Sequence, residues 1–363
     1  MMPVAFITND FTDLGNGTEV PGACAYYRCS LPMFASGQPA MLGRPAFHPD
    51  YGFGIKETKD RAVFQFDTAV LKLIMFRWTP RQIEIAQSLG QRIVVDVDDA
   101  YDFLPEVNAA WEQTHPERNK VMNRDHYRRV IDAADTLVVS TPFLADYHSD
   151  HRDVRMIRNG VYPDMFPVKH QEAKPVIGWV GSMSFRGGDL ETMDWLPGFL
   201  DEHGLWFHHS GDDGHNKIED AVPIDANRLT VAPLLPINDY PSLFQWFDIG
   251  LVPLSDIPFN HAKSCIKGLE YAAAGIPFVA AATPEYEYLA STGVGRVART
   301  GDEWVGHLTE LLDVRVRRRE AAENRRLVRQ LHSIQAREPE WQALFSVPGS
   351  LQQAPSRIAA AFS

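Results

Sequence analysis

Short apolar stretches alternate with helical stretches along this chain, in two successive series. The apolar runs of the first series occupy residues 4–8, 62–66, 73–76, 92–95, 136–139 and 154–157. Those of the second occupy residues 176–180, 205–209, 229–231 and 249–252, with one more after Pro277. Strands separated by helices form parallel βαβ units. The sequence therefore predicts an α/β protein with two Rossmann-like, doubly wound domains that face each other across a cleft.

Three prolines interrupt the pattern between the two series, at Pro163, Pro167 and Pro175. We predict an N-terminal domain over residues 1–165, a C-terminal domain over residues 170–335, and a helical segment over residues 336–363 that packs back on the first domain. The length of 363 residues agrees with this division, because single hydrophobic cores stop growing at roughly 250 residues.

The composition favours an ordinary cytoplasmic protein. A formal net charge of −12 argues against a large electrostatic contact with nucleic acid. The three cysteines form no CxxC pair, so neither a disulfide framework nor a zinc site is indicated, and a reducing, cytoplasmic compartment is expected. No apolar run is long enough for a signal peptide or a membrane span, so we expect no integral membrane association.

A phosphate site is predicted in the second series, where a helix ends at Gly275. Lys263 and Ser264 stand at its expected start, and a helix N-terminus that carries cations can hold phosphate. Glu270 follows about two turns later, where a carboxylate can accept hydrogen bonds from ribose hydroxyls. A helix with a merely charged edge is the alternative.

A second glycine-containing turn should face the same ligand. Gly181 and Ser182 follow the strand at 176–180, and Arg186 lies within the turn. Their backbone amides can approach a pyrophosphate, and the guanidinium group offers a planar pair of donors. Because ligands bind at the carboxyl ends of parallel strands, both elements should meet at one edge of the sheet.

The first series also contains a glycine-bearing loop after its opening strand. Gly15 and Gly17 can let backbone amides approach a ligand, and we predict that they contribute to the ligand-binding site. A plain surface loop is the alternative.

An acidic run follows the strand at 92–95. Asp96, Asp98 and Asp99 fit a metal site, an acid or base in the cleft between the domains, or a capped loop with solvated acids. A metal site is the least favoured of these three hypotheses, because the cations of the second domain can bind phosphate without a metal. We therefore predict catalytic roles for Asp98 and Asp99 and no metal.

The motifs of the second domain resemble the C-terminal domain of GT-B glycosyltransferases of the GT4 type. The resemblance rests on the strand-Gly-Ser-turn-Arg order and on Lys-Ser-x-x-Lys-Gly-x-Glu-Tyr-Ala-Ala-Ala-Gly-Ile-Pro, which ends at Pro277. The first domain is similar to bacterial and phage members in four places, namely Tyr27-Arg28 with Pro32, the acidic run 95–99, Ser140-Thr141-Pro142, and Arg158-Asn159-Gly160-Val161.

This resemblance implies a retaining transferase whose C-terminal domain holds a nucleotide-sugar while the N-terminal domain presents the acceptor. Glu270 corresponds to the ribose-binding acid, and Arg186 and Lys263 to the phosphate-binding, catalytic pair; Ser264 and Lys267 complete the predicted donor site. Neither a cofactor nor a metal is expected. The family often has a second Glu eight positions before the first, where this chain has Ala262, so the sugar stays open.

The expected donor is a UDP-, GDP- or ADP-linked sugar, and the acceptor is a glycan, a lipid carrier, a protein side chain or a modified base in DNA. Two alternatives remain at this stage. One is a GT-B-fold nucleotide-sugar epimerase, which needs no acceptor. The other is a non-catalytic protein that binds sugar nucleotides or glycans.

Overall fold

Two sheets organise the protein in a computed structural model, which describes residues 3–58 and 61–346. The strands are β1 Val4–Thr8, β2 Phe11–Asp13, β3 Glu19–Pro21, β4 Ala40–His48, β5 Gly52–Lys56, β6 Ala62–Val63, β7 Thr68–Lys72, β8 Arg92–Val97, β9 Thr136–Val139, β10 Val154–Met156, β11 Val176–Val180, β12 Trp206–Asp212, β13 Leu229–Pro233, β14 Ile249–Val252, β15 Phe278–Ala281 and β16 Arg296–Ala298.

The first sheet has eight strands in the order β10-β9-β8-β7-β1-β4-β5-β6, and the second has six in the order β13-β12-β11-β14-β15-β16. Pairing is parallel throughout the second sheet. In the first sheet β4 pairs antiparallel with β5, and β5 with β6, at one edge, while the other strand pairs described are parallel. Parallel neighbouring strands need crossover connections, and helices provide them in both sheets.

Helices connect and cover these strands. They are α1 Ala23–Ala25, α2 Leu31–Ala35, α3 Thr79–Ser88, α4 Ala109–Thr114, α5 Arg124–Ala133, α6 Pro142–Tyr147, α7 Leu196–His203, α8 Ile218–Ala221, α9 Pro258–His261, α10 Ile266–Ala273, α11 Pro284–Ser291, α12 Gly301–Leu311, α13 Val314–Leu327 and α14 Ile334–Ser346. A π-helical turn, Tyr26–Ser30, joins α1 to α2. Over residues 3–58 and 61–346, none of the helices is both long enough and apolar enough to cross a membrane.

The predicted strand over residues 73–76 is wrong, because the strand is β7 and ends at Lys72. Lys72 is fully buried, and it is tolerated there because two carboxylates, Asp96 and Asp98, neutralise it. Leu73 then turns the chain with a φ of 57°. The antiparallel edge formed by β4 and β5 was not predicted, since β4 shows no regular alternation of buried and exposed positions and β5 contains two glycines.

The strands of the first sheet lie within residues 4–156 and those of the second within residues 176–298, while the exact domain limits stay a prediction. Helix α14 packs against α2 beside the first sheet, and the ring of Phe345 meets that of Phe6 edge to face at 6.0 Å. Trp341 is also buried there. The remainder of the predicted C-terminal segment, residues 347–363, lies outside the described residues.

The two halves are joined by contacts that bring the start of α10 against the carboxyl ends of the first sheet. Phe259 and Ala262, from the region of α9, belong to the hydrophobic cluster on the first sheet. The hydroxyl of Thr141 donates to the carbonyl oxygen of Ala262 at 3.0 Å. An ion pair between Arg158 and Glu285 adds a further link at 3.0 Å. The loop that precedes α10 is therefore held on the cleft.

Candidate functional site

A cavity of about 530 Å³ lies between the carboxyl ends of the two sheets. Most of its wall comes from loops that follow strands, which is where ligands bind in parallel α/β sheets. The lining residues are Thr12, Pro21, Gly22, Ala23, Cys24, Tyr27, Asp98, Asp99, Asn159, Gly181, Ser182, Phe185, Arg186, Leu234, Leu235, Pro236, Ile237, Tyr240, Lys263, Ser264, Ile266, Lys267 and Glu270.

Most of the site residues predicted from sequence meet in this cavity. They are Asp98, Asp99, Gly181, Ser182, Arg186, Lys263, Ser264, Lys267 and Glu270. Gly15 and Gly17 are not part of the lining. They lie in the exposed turn between β2 and β3, with φ angles of 79° and 80°, so glycine serves the turn there. The cavity wall from this region of the chain is formed by Thr12 and by residues 21–24.

The turn after β11 contributes less through its first two residues than the sequence suggested. The amide of Gly181 donates to the carbonyl oxygen of Ser210 at 2.8 Å, so it is used within the sheet. The hydroxyls of Ser182 and Ser184 both donate to Asp213. Burial raises the pKa of Asp213, but these hydrogen bonds outweigh it and lower that pKa below its ordinary value. The turn is thus stiffened around an ionised carboxylate.

Arg186 is the cation that this turn presents to the cavity. Its side chain is partly exposed, and Nη1 lies 3.7 Å from a carboxylate oxygen of Asp189. Asp189 is buried and also accepts a hydrogen bond of 2.6 Å from Asn260. Because Asn260 lies three residues before Lys263, this contact joins the two loops that carry the predicted phosphate-binding cations.

Lys263 and Ser264 lie in the turn just before α10 rather than in its first turn, since the helix begins at Ile266. The ammonium group of Lys263 lies 3.4 Å from Asp99 and 4.2 Å from the centre of the Phe259 ring. Burial lowers the pKa of Lys263, and Asp99 partly offsets this effect. The lysine is therefore desolvated, and a second anion at this place would stabilise its charge.

Glu270 is the most extensively hydrogen-bonded carboxylate of the cavity. Its Oε1 accepts from the hydroxyl of Tyr27 at 2.6 Å, and its Oε2 accepts from the hydroxyl of Tyr240 and from Lys267, both at 2.9 Å. Only 2% of Glu270 is exposed. Burial lowers the pKa of Lys267, and Glu270 partly offsets this effect. Sequence reasoning missed both tyrosines as partners of Glu270, because nothing in their spacing relates them to it.

A buried chain of polar contacts connects Ser264 with the first sheet. Asn159 donates to the Ser264 hydroxyl at 2.8 Å and accepts from Arg28 at 3.0 Å. Arg28 in turn binds Asp96 at 2.6 Å, with neither side chain exposed. Asp96 is therefore a structural partner of buried cations and does not reach the cavity.

The other two acids of the run do reach the cavity. Asp98 is bonded to buried Lys72; burial opposes its ionisation, but Lys72 outweighs this and lowers the pKa of Asp98. Asp99 is the more exposed of the two, with 28% of its side chain accessible. Across residues 3–58 and 61–346, no group of three or more His, Cys, Asp or Glu side chains is arranged to hold a metal ion.

Ala262 does not line the cavity. It is fully buried against the first sheet, and its carbonyl oxygen is held by Thr141. The position at which this chain departs from the pattern of the resembled family therefore lies in the contact between the two halves of the protein. An acidic side chain at this position would be placed in that buried contact.

The arrangement of two parallel sheets around a cleft is shared with several solved structures. A sucrose-phosphate synthase from Thermosynechococcus elongatus matches with a TM-score of 0.64 at 14% identity, over 95% of this chain and 98% of the synthase. HepE from Anabaena, solved in complex with UDP-glucose, matches with a TM-score of 0.61 at 13% identity, over 95% and 100% of the two chains. A glycosyltransferase from Rickettsia africae gives 0.62 at 10% identity, over 95% and 99%.

No protein-family model and no curated protein sequence matches the chain. At the low identities of the solved structures, the likeness shows the fold. The protein has the GT-B fold, which confirms the predicted fold class. The relationship to GT4 members and to phage proteins stays a prediction.

Proposed function

We propose that the protein is a glycosyltransferase that moves a sugar from a nucleotide-sugar donor to an acceptor hydroxyl, with retention and without a metal. The observation that carries this proposal is the convergence of Arg186, Lys263, Lys267 and Glu270 in the cavity between the two sheets. Three cations and one carboxylate at the carboxyl ends of the strands match a nucleoside diphosphate, which presents an anionic diphosphate and a ribose diol.

The cations supply the chemistry that the departure of a nucleoside diphosphate requires. Negative charge develops on the leaving diphosphate, and fixed cations in a poorly solvated cavity stabilise that charge without reorganising. Arg186 can bind two phosphate oxygens at once, whereas Lys263 acts as a point charge. These groups stabilise the charge that a divalent ion stabilises in metal-dependent transferases, so the proposed reaction needs no metal.

UDP-sugars are the first donors to test, because HepE was solved with UDP-glucose. The acceptor side of the cavity carries Asp98 and Asp99. Lys72 holds Asp98 in its ionised form and lowers its pKa, which makes it a weak base. We therefore assign the orientation of the acceptor hydroxyl to the more exposed Asp99. The hydroxyl belongs to a glycan, a lipid carrier, a protein or a modified DNA base.

The direct test is to incubate the purified protein with UDP-, GDP- and ADP-sugars and to measure release of the nucleoside diphosphate. We expect release with one of them, a loss of at least about 100-fold in Lys263→Ala, and no change in Lys174→Ala, which removes an exposed lysine. EDTA should leave the rate unchanged, and the product should keep the anomeric configuration of the donor in NMR spectra.

Other products would contradict the proposal in recognisable ways. Conversion of the nucleotide-sugar to its epimer would identify an epimerase, and binding without turnover would identify a non-catalytic binding protein. Full activity of Lys263→Ala would show that the donor site has been assigned wrongly. Strict dependence on Mn²⁺ would favour a metal site at the acidic run after β8.

A further inference from the structure

Both oxygens of the Glu270 carboxylate already have hydrogen-bond partners within the protein. Tyr27 donates to Oε1, while Tyr240 and Lys267 donate to Oε2. An ionised carboxylate offers about four positions for hydrogen-bond donors. The three donors therefore leave about one position free.

A ribose diol needs two positions, because its 2′- and 3′-hydroxyls each donate one hydrogen bond. The proposed role of Glu270 in binding ribose thus conflicts with the full set of protein donors. One of the three protein donors must leave Glu270 before both ribose hydroxyls can bind to it. Replacing a protein donor by a ribose hydroxyl leaves the carboxylate satisfied, whereas the released donor loses its partner on Glu270.

Tyr240 and Lys267 form hydrogen bonds with Glu270 and with each other, and all three residues belong to the second half of the protein. Lys267 lies three residues before Glu270 on α10, and it also donates to the Tyr240 hydroxyl. The Tyr240 ring packs edge to face against that of Phe244 at 5.3 Å. These contacts hold both donors in place when a ligand enters.

Tyr27 differs because it comes from the other side of the cleft. It lies in the π-helical turn that joins α1 to α2 beside the first sheet, and Glu270 is the hydrogen-bond partner that the structure gives its hydroxyl. π-helical turns are uncommon and often occur at functional sites. The Tyr27 hydroxyl can leave Glu270 without breaking any bond inside the second half.

We propose that Tyr27 competes with the ribose of the donor for Glu270, so that donor binding breaks a hydrogen bond between the two halves of the protein. This inference rests on the proposed function, because it takes Glu270 as the ribose-binding acid. A residue that lines a binding site ordinarily strengthens ligand binding, and Tyr27 is assigned the opposite effect. In this role Tyr27 weakens nucleotide binding.

The test compares the affinities of wild-type protein and Tyr27→Phe for nucleoside diphosphates by calorimetry. The probe is whichever of UDP, GDP and ADP binds the wild-type protein most tightly, together with its 2′-deoxy counterpart. Phenylalanine keeps the ring and its edge contact with Tyr26 at 5.0 Å. The matched control is Tyr26→Phe, which removes the neighbouring hydroxyl from Met165 and leaves Glu270 untouched.

We expect Tyr27→Phe to bind the ribonucleotide about 2- to 10-fold more tightly, the change that one net hydrogen bond produces. Its affinity for the 2′-deoxynucleotide should stay within about 2-fold of wild type, because a single hydroxyl fits the position already free on Glu270. Tyr26→Phe should leave both affinities unchanged. This pattern would support competition by Tyr27.

Each other result is decisive. Unchanged or weaker ribonucleotide binding in Tyr27→Phe overturns the inference, and weaker binding would show that Tyr27 helps to hold the ligand. An equal gain for both nucleotides also overturns it, since the gain would not come from the ribose. Wild-type protein that binds none of the three diphosphates overturns the proposed function itself and the inference with it.

Discussion

Lys263 and Asp99 form an ion pair across the cleft, with Nζ 3.4 Å from Oδ1. Lys263 precedes α10 in the second half of the protein, and Asp99 follows β8 in the first. Both side chains are partly accessible from the cavity, 15% for the lysine and 28% for the acid. The proposed donor and acceptor sides of the site therefore meet at this contact.

Replacing Asp99 by Asn should affect binding and turnover in opposite directions. The change removes a negative charge next to the proposed diphosphate position, so UDP should bind about 2- to 5-fold more tightly. Turnover of the nucleotide-sugar should fall by about 10-fold or more, because the proposed role of Asp99 is to orient the acceptor hydroxyl. Calorimetry and release of the diphosphate measure the two effects.

The control for this prediction is Asp102→Asn, the same change three residues further along. Asp102 is paired with Arg128 and does not line the main cavity, so neither binding nor turnover should change. Weaker UDP binding in Asp99→Asn would show that the ion pair positions Lys263, and equal turnover would remove Asp99 from the mechanism.

Introducing an acid with Ala262→Glu, where members of the resembled family often have Glu, should destabilise the protein rather than alter its sugar preference. Ala262 is fully buried between the two halves, and an unpaired carboxylate there costs about 3 kcal/mol or more. Denaturant unfolding measures the loss. Ala173→Glu, at an exposed position, should change stability by less than about 0.5 kcal/mol. A stable Ala262→Glu protein with a changed donor preference would contradict this prediction.

The buried pair of Arg28 and Asp96 should contribute strongly to the stability of the fold. Removing the guanidinium in Arg28→Met leaves the buried Asp96 with fewer partners, and breaking such a pair costs about 3 to 5 kcal/mol. The exposed pair of Arg81 and Glu84 provides the control, since Arg81→Met should cost less than about 1 kcal/mol. Similar free energies of unfolding for the two variants would show that Lys72 alone satisfies Asp96.

The stability of the protein should decrease in mild acid, partly through His208. Burial, aided by the neighbouring His209, lowers the pKa of His208 to about 4 in the folded protein, whereas an unfolded histidine titrates near 6.5. The unfolded chain therefore binds a proton that the folded chain lacks. The contribution is complete above about pH 6.5 and is lost as the pH falls towards 4.

His208→Gln isolates this contribution. The free energy of unfolding should fall less between pH 6.5 and 4.5 in the variant than in wild type, because glutamine does not titrate. The same change at exposed His215 should leave the pH dependence as it is. Parallel curves for wild type and His208→Gln would mean that the histidine becomes protonated without unfolding.

Local patterns were sufficient to predict the class of fold and the charged residues that line the cavity. The runs at 136–139, 176–180 and 249–252 coincide with strands, because a buried parallel strand needs a continuous apolar stretch. The loops that follow parallel strands meet at one edge of the sheet. Arg186, Lys263 and Glu270 could therefore be placed together from their positions in the chain alone.

Only the tertiary structure shows which of these groups have hydrogen-bond or ion-pair partners, and which part of the chain supplies each partner. Tyr27 reaches Glu270 from the opposite sheet, and Arg28 and Lys72 hold Asp96 inside the first half. Such contacts join residues far apart in sequence, so they leave no periodicity or spacing to detect. For the same reason Gly15 and Gly17 fitted a ligand loop by composition, while the pairing of β2 with β3 turned them away from the cavity.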